Sequence, residues 1–225
     1  MTMSMIPGRR CGCVGVLFLA LAGVQAGAYD GVPGDHSAAQ VESMSESSRA
    51  STHVDGGGLR LDVDFSALSS DTVQVRYRLR NDGAAPLAVF DRGNRHAVLA
   101  KRQASGAVGA PTFEETGGGD VVLRHVALPQ ADGPTGPTLP PTPLALKLDP
   151  GASIDGEFAF PIPASAPPRR VRWCVGVAAF DDAEFFSPEA TDAGEVWQAG
   201  DGMIARQRVL CTSWFGMAAG RFEEG

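Results

Sequence analysis

The densest gathering of chemically useful side chains in this 225-residue chain lies between Asp181 and Asp201. Asp181, Asp182, Glu184, Glu189, Asp192, Glu195 and Asp201 occur there without a Lys or Arg, interleaved with Phe185, Phe186 and Trp197. Carboxylates beside aromatic rings can meet a basic partner or a sugar, and clustered carboxylates can hold Ca²⁺, which takes roughly 6–8 oxygen ligands. The spacing matches no recognised Ca²⁺ loop. A carboxylate-pair hydrolase needs two acids at a defined separation, which spacing along a chain does not set. A solvated acidic loop whose aromatics cover one end of a domain accounts for the same residues. Phe185, Phe186, Trp197, Asp181, Asp182 and Glu184 are thus the expected partner-binding set, if the stretch binds at all.

Other residues able to ligate or catalyse are scattered. His96 and His125 have no second ligand at i+2 or i+4, and His36 and His53 fall in a polar stretch of low hydrophobicity. There is no G-x-S-x-G elbow, H-E-x-x-H pair, Walker loop or dinucleotide fingerprint. The run Gly117-Gly118-Gly119 precedes no helix signature and reads as a turn rather than a phosphate cradle. These patterns lead to no expected catalytic residue, cofactor or metal ligand.

The start of the chain carries Arg9 and Arg10, an apolar run from Val14 to Val24, and Ala26-Gly27-Ala28. That order is the pattern of a secretory signal peptide over residues 1–28, with cleavage before Tyr29. The run is about half the roughly 20 residues that span a bilayer, so no transmembrane segment is expected after cleavage. Cys11 and Cys13 precede the run, where they cannot serve as a lipidation site at its end; twin-arginine export is the less favoured variant. The expected location is periplasmic or secreted. Cys174 and Cys211 then remain as an even pair in an oxidising compartment, most simply one disulfide. Loss of two arginines and no acid makes the remaining chain two charges more negative than the full chain's -7. An acidic chain with no basic cluster argues against nucleic acid as a partner.

Positioning elements follow from periodicity. Residues 29–58 have few large apolar side chains and read as a disordered tether. From Leu59 the pattern changes: Leu59, Leu61, Val63 and Phe65 alternate with Arg60, Asp62 and Asp64, and Val73, Val75, Tyr77 and Leu79 alternate with Gln74, Arg76, Arg78 and Arg80. Period two with one charged face is a half-buried strand. Asn81-Asp82-Gly83 then reads as a tight turn tolerant of positive φ, and Pro86–Phe90 as the return strand. Further strands are expected at Val121–Leu128, Leu144–Leu148, Phe158–Ile162, Val171–Val177 and about Ile204–Trp214. Residues 101–119 read as a loose connection. Six prolines among the fifteen residues from Pro129 to Pro143 exclude a helix or central strand and leave a surface loop or a polyproline segment. Cys174 is out of phase with Val171, Trp173, Val175 and Val177, so a bridge to Cys211 would join neighbouring strands across a sheet.

The runs RYRLRNDGAAPLAVF (76–90) and LKLDPGASIDGEFAFPIP (146–163) resemble bacterial immunoglobulin-like or fibronectin-like modules, in which similar strand–turn–strand units recur. Roughly eight strands at short spacing, with no amphipathic helix of useful length between them, point to an all-β chain forming a single antiparallel β-sandwich over residues 59–216, with 217–225 a flexible tail; the resemblance implies an immunoglobulin-like fold and no activity. The expected function is an exported, non-enzymatic accessory or binding module of the cell envelope, meeting an envelope protein or a carbohydrate. A secreted hydrolase using loop carboxylates and a ligand-free spacer are the alternatives.

Overall fold

Alternating apolar and charged residues put one face of a strand in water and the other in a core, and two such faces must meet each other. The computed structural model describes residues 49–128 and 142–223, and in it this rule builds two packed sheets. The expected export signal, the tether up to residue 48 and most of the proline-rich connection lie outside the described residues. Along the chain the elements are β1 (Ala50–Gly56), β2 (Leu59–Ala67), β3 (Thr72–Asn81), β4 (Leu87–Val89), the short helix α1 (Arg95–Leu99), β5 (Thr112–Gly117), β6 (Asp120–His125) and β7 (Leu144–Leu148). There follow β8 (Ser153–Pro161), β9 (Arg170–Ala179), β10 (Phe185–Thr191), β11 (Gly194–Ala199), the short helix α2 (Gly202–Arg206), β12 (Arg208–Cys211), β13 (Phe215–Gly216) and β14 (Arg221–Phe222).

The first sheet is antiparallel in the order β1-β2-β3-β8. The second is larger and curled around β9, which pairs with β6 and β4 along one side and with β13 and β12 along the other. An all-β chain with two facing sheets is thus what the alternation required. The pairing departs from a purely antiparallel pattern at one place, because β6 runs parallel to β9 from Asp120↔Arg170 to His125↔Val175. Parallel neighbours need a long crossover, and the 44 residues between His125 and Arg170 supply one.

Between the sheets, Leu61, Phe65, Val75 and Leu79 meet Trp173, Val175 and Phe215 in one continuous core. Each fully buried side chain of this size contributes about 1.5–3 kcal/mol through removal of apolar surface from water. Asn81 fastens the end of β3 to the second sheet. It is fully buried, its side-chain amide donates to the carbonyls of Ala85 (2.8 Å) and Leu148 (3.1 Å), and its Oδ1 accepts from the N–H of Gly83 (3.0 Å).

Several boundaries differ from the sequence reading. Gly83 does not adopt positive φ; a side chain on it would press on Asn81 Oδ1, and it is Gly58, at φ 77°, whose side chain would meet the Gly83 backbone. Gly151 does adopt positive φ, at 74°, and here the run Asp149-Pro150-Gly151 forms the turn its residue types call for, closed by a 3.1 Å backbone hydrogen bond from Ala152 to Asp149. The domain begins inside the expected tether: β1 pairs with β2 over seven residues, but its inward side chains are only Ala50, Thr52, Val54 and Gly56, too small to raise a hydrophobic signal. The expected flexible tail contains β14, whose Phe222 packs 5.1 Å from Phe65 and 5.5 Å from Phe215. The single strand expected over 204–214 is divided among α2, β12 and the approach to β13. The connection at 101–119 contains β5, which turns into β6 through Gly117, Gly118 and Gly119, all at positive φ.

Candidate functional site

The residues expected to bind a partner do not form one surface. The stretch from Asp181 to Asp201 is largely the hairpin β10-β11, which adds to the second sheet at β7. Phe185 is buried, its ring 4.8 Å from Phe180 and 6.4 Å from Phe90 in a small second core on the outer face of that sheet. Trp197 is half-buried at the edge of the same cluster, 5.1 Å from Phe180. Phe186 is exposed, so the three aromatics point to different environments. Asp181 and Asp182 are exposed, Asp181 accepting from the N–H of Ala183 at 3.0 Å, and Glu184 pairs with Arg206 at 2.8 Å. Cations from outside the stretch answer two more: Arg95 lies 3.6 Å from Glu189, and Lys147 lies 3.8 Å from Glu195. Among the described residues no group of three or more acids, histidines or cysteines stands together as metal ligands. The hydrophobic pattern was ambiguous here because these aromatics bury against the outer face of a sheet rather than between sheets.

Cys174 and Cys211 are joined by a disulfide. They are direct partners on β9 and β12, 4.0 Å apart at Cα, with Cys174 on the face opposite Trp173 and Val175. The bridge therefore crosses between neighbouring strands, as the phase of Cys174 implied.

A polar node absent from the sequence reading sits in the main core. The Tyr77 hydroxyl donates to Asp91 Oδ2, Arg92 Nε lies 3.1 Å from Asp91 Oδ1, and Arg92 donates from its guanidinium to the Gly106 carbonyl at 3.0 Å. Asp91 has no exposed surface, and Arg92 has 3%. Burial and the neighbouring Asp91 charge together hold the Tyr77 hydroxyl well above its ordinary pKa. The Tyr77 ring occupies the space where a side chain on Gly156, its partner across β3 and β8, would stand. On the other side, the Tyr77 ring lies 4.6 Å from Trp173, whose indole N–H donates to His125 Nδ1 at 3.0 Å. His125 must then carry its proton on Nε2, which donates to the Gly109 carbonyl at 2.9 Å. Every member of this node is closed off from solvent, so it organises the core rather than meeting a substrate.

A pH prediction follows from His125. Burial, which outweighs the attraction of Asp91, lowers its pKa from 6.5. A group whose folded pKa is depressed leaves the unfolded chain binding more protons as the pH falls below the unfolded value, so stability drops with decreasing pH in that window. Asp71 is held low by the Ser69 and Thr72 hydroxyls and Asp120 by Arg170; both act only at lower pH, in the carboxylate range. Urea midpoints measured between about pH 7.5 and pH 5 should therefore fall toward acid in the parent, and the slope should flatten in His125→Gln. Equal slopes in both would show that His125 does not govern this window.

The open chemistry lies on the outer face of the first sheet. The antiparallel register puts Asp62, Arg78 and Asp155 in one row and Asp64, Arg76 and Glu157 in the next. His53 and Ser51 of β1 extend the two rows. The two arginines lean toward β8: Arg76 Nε donates to Glu157 at 2.9 Å, and Arg78 contacts Asp155 at 3.2 Å. The β2 carboxylates find other donors, Asp64 from the Ser51 hydroxyl at 2.6 Å and Asp62 from Arg60 at 3.1 Å. A groove of about 600 Å³ lies over these rows. It presents guanidinium donors and carboxylate acceptors side by side on strands held rigid by hydrogen bonds. The sequence displayed these residues as the polar halves of its alternations; the register that makes a groove of them was not visible there. No protein-family model matches the chain, and no curated protein or solved structure is similar to it.

Proposed function

We propose that this chain is an exported, non-enzymatic binding module of the cell envelope, periplasmic or secreted, whose recognition surface is the charged groove on the outer face of its first sheet. The observation that carries this reading is the groove itself, with Asp62, Asp64, Arg76, Arg78, Asp155 and Glu157 set in register over about 600 Å³. Recognition of a polar ligand benefits when donors and acceptors are already placed, because less side-chain freedom is lost on binding. Each carboxylate of the groove is engaged by an arginine or a hydroxyl, an arrangement suited to holding a ligand through charge-assisted hydrogen bonds. Carbohydrates and envelope proteins both offer the mixed donors and acceptors that such a groove requires. The disulfide accords with an oxidising compartment, and the two facing sheets with the immunoglobulin-like sandwich that the turn sequences resemble.

The test uses protein recovered from the exported fraction, with a mature N-terminus expected at or near Tyr29. It is immobilised and exposed to solubilised envelope material, and the bound components are quantified beside an Arg76→Glu, Arg78→Glu variant that unfolds as cooperatively as the parent. The variant should retain less than about a tenth of the parent's specific capture, the loss expected when charged contacts become repulsive. Equal capture by both proteins would remove the groove as the recognition surface.

A further inference from the structure

The rim of the groove is also the edge of a sheet, and before Pro161 at its end that edge has, among the described residues, neither the slips nor the covering elements given to the others. At β10 the pairing slips between Phe186 and Glu189, Ser187 adopts φ 50° and Pro188 follows. β5 is irregular between Glu115 and Gly117. β1 runs beside β12 and β14. Slips, prolines and covering elements are the usual means of preventing stray strand pairing. In contrast, β8 pairs with β3 in unbroken register from Ser153 to Pro161, and among the described residues no strand lies on its other side.

The orientation of the free groups on β8 can be assigned. Asn81 N–H donates to the Ala152 carbonyl at 3.0 Å, and Ile162 N–H donates to the Asp71 carbonyl at 2.8 Å, so the even-numbered residues direct their backbone groups toward β3. Since bonding alternates along an antiparallel strand, Ser153, Asp155, Glu157 and Ala159 direct theirs outward. Pro161, which has no N–H, falls in the same outward phase. On the core side, Ile154, Phe158 and Phe160 are only half-buried, and exposed Phe113 of β5 lies 6.3 Å from Phe160.

We infer that β8 is a docking edge for an extended segment of a partner protein, one that alternates basic and apolar side chains. This rests on the reading of the chain as a binding module and names the kind of partner. Across the sheet the rows run acid on β2, base on β3 and acid on β8, so a fifth strand continues the alternation with Arg or Lys opposite Asp155 and Glu157. Its other face covers Ile154, Phe158 and Phe160. Backbone bonds supply the attachment, and the alternating side chains supply the selection. A second copy of the chain is disfavoured because antiparallel β8–β8 pairing would set Asp155 and Glu157 against the same acids.

The probe is a nine-residue peptide of alternating arginine and valine with blocked ends, compared with its glutamate–valine counterpart, and the readout is residue-resolved amide hydrogen exchange of the exported protein. Saturating basic peptide should slow exchange at Ser153, Asp155, Glu157 and Ala159 by at least tenfold, and the acidic peptide should not. Ala159→Pro, which removes one outward N–H away from the groove, should weaken binding at least tenfold while unfolding stays cooperative. Asp155→Lys with Glu157→Lys should reverse the preference to the acidic peptide, so the inference remains testable if the proline variant fails to fold. Absence of protection at these amides would overturn it. So would protection already present without peptide, which would show the edge covered by the chain itself, or protection that grows with protein concentration, which would show a second copy. If envelope capture depends on Arg76 and Arg78 while the β8 amides never gain protection, the edge inference falls and the groove reading stands. If the amides respond and capture ignores the arginines, the reverse holds.

Discussion

Asp91→Ala is expected to lower the stability of the domain by about 3–5 kcal/mol, because it leaves the Arg92 guanidinium buried without a counter-charge. Arg92 keeps its bond to the Gly106 carbonyl, but one neutral acceptor does not compensate a cation with almost no exposed surface. The same substitution strands the Tyr77 hydroxyl, whose acceptor is Asp91. Removing both charges at once, in Asp91→Leu with Arg92→Met, should cost less than Asp91→Ala alone, since two apolar side chains leave no orphaned ion. Urea unfolding of the single and double variants measures this directly. A single-variant loss below about 1 kcal/mol would mean that the pair is not the buried unit described here.

Cys174→Ala with Cys211→Ala is expected to cost up to about 4 kcal/mol, from the chain-entropy model applied to the 37-residue separation. The two strands are already paired from Arg208↔Val177 to Cys211↔Cys174, so the bridge adds little native order and acts mainly by restricting the unfolded chain. The intervening segment includes the hairpin β10-β11 and α2, whose contacts with the second sheet should persist in the variant. Denaturant midpoints with and without reductant give the measurement, and thiol labelling of the native protein should find neither Cys174 nor Cys211 free. A midpoint indifferent to reductant would refute the stabilising role.

Local pattern was informative wherever a strand carries large apolar residues at period two. The cores of β2, β3, β7 and β9 were legible for that reason, and the out-of-phase position of Cys174 was enough to imply a bridge between neighbouring strands. Where the inward residues are small, as in β1, or where aromatics bury on the outside of a sheet, as with Phe185 and Trp197, the same rule had little signal to read. The acids of the 181–201 stretch drew attention because they are neighbours in sequence. The acids of the groove were overlooked because Asp62 and Asp155 are far apart in the chain, although both lie beside Arg78.

The amino-acid sequence alone determined that the chain is built of strands, which large apolar residues of β2, β3, β7 and β9 face a core, and that a bridge from Cys174 would join neighbouring strands. Those properties depend on side-chain alternation and composition, which are local. Tertiary structure decided which strands lie beside one another and in what register, and therefore that Arg76 and Arg78 stand between two rows of carboxylates. It also decided that Tyr77, Asp91, Arg92, His125 and Trp173 share one buried node. A strand's periodicity reports its two faces but carries no record of its neighbour, because pairing depends on long-range packing of the whole chain.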